Sequence, residues 1–225
     1  MFERRKAAKL EAARSAQVVE ELRRRVAQLP DADGVISISA FQECFQSMID
    51  QHVDVSGVPD VLRALRLGLA QGGCFIQMDA TLLLKTDEAA VFEAQADLLK
   101  EVTDREFRGG SRGVSVPVGH GVRVRAGAVR GHMVAIGTHW ATADTGRLTV
   151  TDQRVVYHGG RKTLEFLFTK LATLNVYTDA IDLGVTNRQS TSSFRTGDPE
   201  LLAGIIHGAF ERRDSEVTLI RSAFA

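Results

Sequence analysis

The chain has 225 residues, of which 28 are basic and 28 acidic, so its formal charge is zero with histidine neutral. Whole-molecule electrostatics therefore cannot drive it onto DNA, RNA or an acidic membrane; only a local patch could. At 44% hydrophobic and 25% charged, it has a globular composition, which excludes pervasive disorder, a collagen-like repeat or a disulfide scaffold. The length allows one or two domains whose core needs no metal or cross-link.

Cys44 and Cys74 are the only thiols. Neither lies in a C-x-x-C pair, and both read as small buried hydrophobes. The opening MFERRKAAKLEAARSAQ has positive residues with no apolar run behind them, so no secretory signal is expected. No stretch of about 18 uncharged apolar residues predicts a membrane-spanning helix. These features together read as a reduced cytoplasmic protein.

Residues 1–29 are rich in Ala, Arg, Glu and Leu without Gly, and Pro30-Asp-Ala-Asp-Gly34 closes the run, which predicts a charged amphipathic helix. Val18, Leu22, Val26 and Leu29 form a narrow apolar stripe. Eight basic residues face four Glu. The stripe could dock on the chain's own domain, or form an oligomer seam with another copy or chain. The basic residues could instead anchor the helix to an anionic surface.

Residues 30–80 predict a small helical module. Ser39 is placed to cap a helix carrying Phe41, Phe45, Met48 and Ile49, and Val58-Pro59 opens another carrying Val61, Leu62, Leu65 and Leu69, ended by Gly72-Gly73. The junction at 29–41 resembles an EF-hand loop: Asp31, Asp33, Gly34, Ile36, Ser37 and Phe41 fall at that family's third, fifth, sixth, eighth, ninth and thirteenth positions. The first position is Leu29, however, and the twelfth, which supplies a bidentate carboxylate in that family, is Ala40. Asp33-Gly34 accordingly reads as a connecting turn, with no calcium site.

From residue 81 the period changes to two. Val91-Phe92, Val114 to Val124, Leu148 to Tyr157, Leu164 to Phe168, Leu174-Val176, Ile181 to Val185 and Phe194 recur in short runs broken by Gly, Asp or Asn, which predicts a small barrel or sandwich. Phe166 and Phe168 are expected inside, on one face of a strand. Asp198-Pro199 caps a closing helix through Leu201, Leu202, Ile205, Ile206 and Phe210, whose stripe must cover the mouth of the barrel. The barrel domain is expected to span 81–213, and 214–225 reads as a loose tail.

Gly146-Arg-Leu-Thr-Val-Thr-Asp-Gln-Arg-Val-Val-Tyr-His-Gly159 resembles the G-x-L-x-(V/I)-T-(D/N)-x-R-(V/L)-(V/I)-(F/Y)-x-G stretch of bacterial pleckstrin-homology-like (PH-like) and GRAM-like domains. The flanks extend the resemblance over roughly residues 82–212. It implies an α+β chain: an N-terminal helix and a small helical module, followed by a PH-like barrel of about seven strands, in two roughly orthogonal sheets, capped by a C-terminal helix. Within the hairpin, Thr151-Asp152-Gln153 makes the turn, with Asp152 placed to bond turn amides. The family is mostly a set of binding modules without shared catalytic residues. The basic K-x-n-(K/R)-x-R motif of its phosphoinositide-binding members is not placed in the first hairpin here, so lipid specificity does not carry over.

Six histidines (His52, His120, His132, His139, His158, His207) fall in no H-x-H or H-E-x-x-H spacing. Neither a nucleophile elbow nor a P-loop occurs. Gly109-Gly110-Ser111-Arg112-Gly113 reads as a flexible connector. Asp87, Glu88 and Glu93, and separately Asp179 and Asp182, are carboxylates that nothing in the sequence opposes. The local anomaly is charge: between Arg105 and His132, six arginines accompany the single acid Glu106. Arg123 and Arg125 alternate with Val122 and Val124 and project from one strand face. That face could be a solvated outer face of the barrel, an anion or acidic-protein site, or a nucleic-acid contact; the expectation taken forward is that Arg123, Arg125 and Arg130 form an anion-facing partner site.

The expected function is a non-catalytic cytoplasmic adaptor, peripheral to a membrane surface at most. It needs no cofactor or metal and binds a protein partner, with acidic lipid head groups weak at most, nucleic acid disfavoured and a homo-oligomer through the N-terminal helix open. The alternative from another class is a histidine-dependent metal-binding enzyme or sensor.

Overall fold

The structure, a computed structural model, describes residues 2–111, 114–117, 123–126, 129–188, 190–213 and 218–221; the side chains of residues 2–4, 7, 8, 104–136 and 221 lie outside the description. Two compact units result, one of residues 1–98 with 144–225 and one of residues 99–143. The division thus falls inside the expected barrel segment, and the helical module belongs to the same unit as the strands that follow it.

Helix α1 (Phe2–Val26) has three arginines in its last turn, where cations complement the carbonyl end of the dipole. It stops at Val26, short of Leu29, as residues 27–29 unwind through turn bonds to Arg23, Arg25 and Val26 carbonyls. The expected oligomer seam is engaged within the chain: Leu22 and Val26 are buried in its own helical core, with Val19 and Leu29 packed against it. Val18 is half-buried beside that core. The inward stripe is therefore Val19, Leu22, Val26 and Leu29, at spacings of three, four and three, and it is the docking alternative that the structure realises.

Asp31 then makes the turn. Its Oδ1 accepts the amides of Asp33 at 3.0 Å and Val35 at 2.8 Å, and Gly34 takes a φ of +78°, which favours glycine. Helix α2 (Ile38–Asp50) is capped by Ser37, whose hydroxyl accepts the Ala40 amide at 3.2 Å. Ser39, the expected cap, lies inside the first turn and bonds the Ser37 hydroxyl. A 3-10 turn (Val55–Gly57) leads to α3 (Pro59–Gln71), opened by Val58 and Pro59 as expected. Ile36 lies so close over α3 that a Cβ on Gly68 would overlap its side chain.

Strand β1 (Cys74–Gln77) pairs in parallel with β11 (Thr218–Arg221). The expected loose tail therefore holds a strand, because Leu219 and Ile220 have apolar surface to cover. The two faces of this ribbon serve different cores: Phe75 and Leu219 join the strand core, while Cys74, Ile76 and Ile220 pack on the helical one.

Seven strands form one sheet: β2 (Ala90–Ser111), β5 (Val129–Thr151), β6 (Arg154–Gly159), β7 (Thr163–Leu167), β8 (Leu171–Val176), β9 (Ala180–Val185) and β10 (Ser192–Thr196). A separate hairpin pairs β3 (Val114–Pro117) with β4 (Arg123–Ala126). The sheet order is β7-β6-β5-β2-β10-β9-β8, so two meanders join where the first of the seven strands meets the last. The protein is α+β, an antiparallel sheet curled into a half-barrel as one continuous sheet, closed by helix α4 (Pro199–Glu211). Asp198 caps α4 by accepting the Leu201 amide at 3.0 Å. Leu202, Ile205, Ile206 and Ala209 of α4 share the strand core with Leu148, Tyr157, Phe166 and Phe194.

Both expected inward phenylalanines are buried, but they do not share a strand: β7 ends at Leu167, and Phe168 opens a 3-10 turn (Phe168–Lys170). Phe166 meets Phe194 edge-on at 5.8 Å, and Phe168 meets Phe210 at 6.4 Å. Gly109, Gly110 and Ser111, expected in a connector, continue β2 as strand.

Candidate binding sites

The arginine site falls partly outside the description. Arg123 and Arg125 lie on β4, where they pair with Pro117 and Ser115 of β3, and Arg130 lies on β5; all three side chains lie outside the described residues. Their backbone positions put Arg123 and Arg125 two residues apart on one strand, as the alternation predicts.

A second charged cluster was not anticipated from sequence. Arg154, the first residue of β6, holds Glu88 bidentately, Nε to Oε1 at 2.6 Å and Nη2 to Oε2 at 2.8 Å, and reaches Glu165 at 2.6 Å. The Glu88 side chain is fully buried. Burial alone would push its carboxyl up, but Arg154, the Lys85 amide and the Thr151 hydroxyl outweigh that and hold it below the usual carboxylate range. Thr151 caps the hairpin turn, its hydroxyl accepting the amides of Gln153 at 3.1 Å and Arg154 at 3.0 Å. Asp152 accepts the Ala89 amide at 3.0 Å, outside the turn amides expected for it, and returns its own amide to the Ala89 carbonyl at 3.1 Å.

The cluster thus welds the loop before β2 to the β5–β6 hairpin. Glu88 and Glu165 are matched by Arg154 and Lys85, while Asp152 meets backbone amides alone and burial, with the neighbouring Glu88 charge, pushes its carboxyl up; the cluster braces the fold. The sequence signal was faint because Glu88 and Arg154 are 66 residues apart.

A cavity of about 270 Å³ opens between the helical module and the sheet. Helix α2 contributes Phe41 and Phe45, α3 contributes Leu62 and Leu65, and Phe75 of β1 and Phe92 of β2 complete the apolar wall. Phe41 and Phe45 stack at 5.8 Å. Arg66 of α3 stands at the cavity with its guanidinium carbon 5.9 Å from the centre of the Phe92 ring. Its side chain is accessible, yet the guanidinium sits in a concavity surrounded by protein, which lowers its pKa. Arg63, one turn earlier on α3, has two carboxylate partners, Asp198 at 2.6 Å and Glu200 at 2.8 Å. Arg66 has no carboxylate partner among the described residues. Only its place on α3 was legible beforehand; the cavity draws on elements far apart in the chain.

Among the described residues no three His, Cys, Asp or Glu side chains converge to hold a metal ion. His52 bonds the Asp50 carbonyl at 3.1 Å, His158 the Thr163 hydroxyl at 3.1 Å, and His207 stands 4.0 Å from Glu211. The side chains of His120 and His132 lie outside the described residues. In the EF-hand-like junction the Asp31 carboxylate is occupied by backbone amides. No described helix is long and apolar enough to cross a membrane. Comparison with protein-family models and with curated proteins gives no match.

Proposed function

We propose that the chain is a non-catalytic adaptor: a PH-like or GRAM-like half-barrel that serves as a platform and presents a basic arm, residues 99–143, to an acidic surface on a protein partner. The reading sets the protein in the cytoplasm, peripheral to a membrane at most. The observation that carries it is strand length. Five of the seven strands have five or six residues, whereas β2 has 22 and β5 has 23. The excess length enters the second unit, and that unit holds the six arginines between Arg105 and His132. Strand length in a separate unit, together with a concentration of arginines, supports a role in recognition.

Guanidinium forks hold carboxylate or phosphate in bidentate geometry. Three arginines over an acidic bilayer supply roughly 1 kcal/mol each, and that attraction fades within a Debye length. Vesicle binding is thus weak, salt-sensitive and indifferent to head group, while a protein partner adds buried apolar area.

The test replaces Arg123, Arg125 and Arg130 together with Glu and compares variant and wild type in affinity capture from the native cell. The expected result is loss of the wild type's main interactor with the thermal midpoint nearly unchanged, and only weak flotation of the wild type with phosphatidylserine vesicles. Undiminished capture, or unfolding of the variant, would show that the arginines are structural.

A further inference from the structure

We propose that the cavity between the helical module and the sheet binds a single-chain fatty carboxylate, its chain among Phe45, Leu62, Leu65 and Phe92 and its carboxylate on Arg66. Size comes first. At about 270 Å³ the space lies just under the roughly 300–1,000 Å³ of small-molecule sites, which suits one slender chain better than a two-tailed lipid. The wall is apolar, so the occupant's buried part must be apolar too, because an amide or hydroxyl placed there would lose its hydrogen bonds to water without replacement.

The rim decides the head group. Its charged members are Arg66 and Glu93, with Gln77 beside them. The Glu93 carboxylate is occupied: Arg147 holds it at 2.5 Å, Thr81 at 2.8 Å and Thr149 at 3.2 Å. Neighbouring arginines are matched as well, Arg63 by Asp198 and Glu200 and Arg23 by Asp60 at 2.7 Å. Arg66 alone among these three has a ring and no carboxylate. Its guanidinium carbon stands 5.9 Å from the Phe92 ring centre, within the distance at which a ring face attracts a cation, and among the described residues no hydrogen bond or ion pair takes up its N–H groups. A carboxylate there gains two charge-assisted hydrogen bonds and supplies the counter-charge that the concave surroundings call for. The site runs from apolar depth to cationic rim, the polarity of a fatty carboxylate.

The experiment is calorimetric titration of the full chain with straight-chain carboxylates from hexanoate to tetradecanoate, with decanol as the uncharged comparison. The proposal expects one equivalent bound with saturation below millimolar, a chain-length optimum, and decanol weaker by about tenfold or more, the factor that one charge-assisted contact confers. Arg66→Gln brings decanoate down to the level of decanol without moving the denaturant midpoint, and Arg66→Lys restores part of the difference. Leu62→Trp, which fills the cavity, removes both ligands. Methyl NMR shifts on adding decanoate to the wild type locate the site without a substitution, at Leu62, Leu65 and Met78. Absence of saturable binding by every member of the series, equal affinity for decanoate and decanol, retention of the preference in Arg66→Gln, or shifts confined elsewhere would each overturn the proposal.

Discussion

The strand core draws its largest side chains from strands distant in sequence. Leu148, Tyr157, Phe166, Ile181 and Phe194 are all completely buried. The helical core draws mostly on the first 76 residues, with Ile36, Phe41, Cys44, Met48, Leu65 and Leu69 buried and Ile220 joining from the far end of the chain, but Phe45, Val55 and Leu62 are only partly covered around the cavity. Sheet closure by long-range pairing leaves each inward side chain neighbours on every side, and a polar brace at Glu88 and Arg154 locks the loop that enters it. Helices docked through narrow stripes cannot fill every gap between them. The strand core is therefore the tighter of the two, and the cavity opens where the two cores meet. Helix α3 belongs to both, with Leu65 and Leu69 in the helical core and Ala70 in the strand core.

Substitutions in the closed core break this contrast hardest. Phe166→Ala should cost about 3–5 kcal/mol, read as a fall in denaturant midpoint; a loss under about 1 kcal/mol would show that the strand core is as yielding as the helical one. Arg154→Ala should cost a comparable amount, about 3–5 kcal/mol, because Glu88 is left buried without its partner. The pH dependence has a definite sign. The folded Glu88 carboxyl lies below its unfolded value, so its contribution is present above the unfolded pKa and is lost as the pH falls through the folded one. Replacing the pair together, Glu88→Leu with Arg154→Met, should restore much of the stability and flatten the acid limb of the melting profile. An acid limb unchanged from wild type would remove Glu88 from the account.

The seam between the cores is tested at Gly208. A Cβ there would run into the Ala70 carbonyl of α3, and backbone cannot move aside as a side-chain tip can. Gly208→Ala should therefore cost about 1–3 kcal/mol despite the gain in helix propensity. A stabilised variant would mean that α3 and α4 slide freely, and the two cores would then be independent.

What was legible in the sequence follows the same division. The β5–β6 hairpin could be read because Leu148, Val150, Val155 and Tyr157 alternate about a polar turn, and the register pairs Val150 with Val155 as that pattern demands. The start of α4 was equally legible, since a cap and a proline act within four residues. Long-range features were not. Nothing local tells Arg154 that Glu88 will face it, and nothing in Thr218-Leu219-Ile220 names β1 as its partner. Phe168 misled because period two continued past the residue where β7 ends. Val18 misled because spacings of four and three fit one helix face nearly as well as three and four. Arg123 and Arg125 lie two residues apart on β4, and the side chains of the arginine site lie outside the described residues.

The smallest effects sharpen the comparison at two caps, one in each core. Ser37 caps α2 with one amide contact, so Ser37→Ala should cost about 1 kcal/mol. Asp198 caps α4 and also takes Arg63 at 2.6 Å, and its carboxyl is held low: burial opposes the charge, and Arg63 with the Leu201 amide outweighs it. Asp198→Ala should therefore exceed Ser37→Ala, though only modestly, because about a third of each partner's side chain remains exposed and Arg63 keeps Glu200. Asp198→Asn separates the two contributions, since asparagine caps as well as aspartate and removes only the charge. That variant should lose no more than about 1 kcal/mol, the range of an exposed ion pair, and the loss should shrink with added salt. If Asn were as damaging as Ala, the cap would contribute little and the bidentate contact to Arg63 would be the tie between α3 and α4.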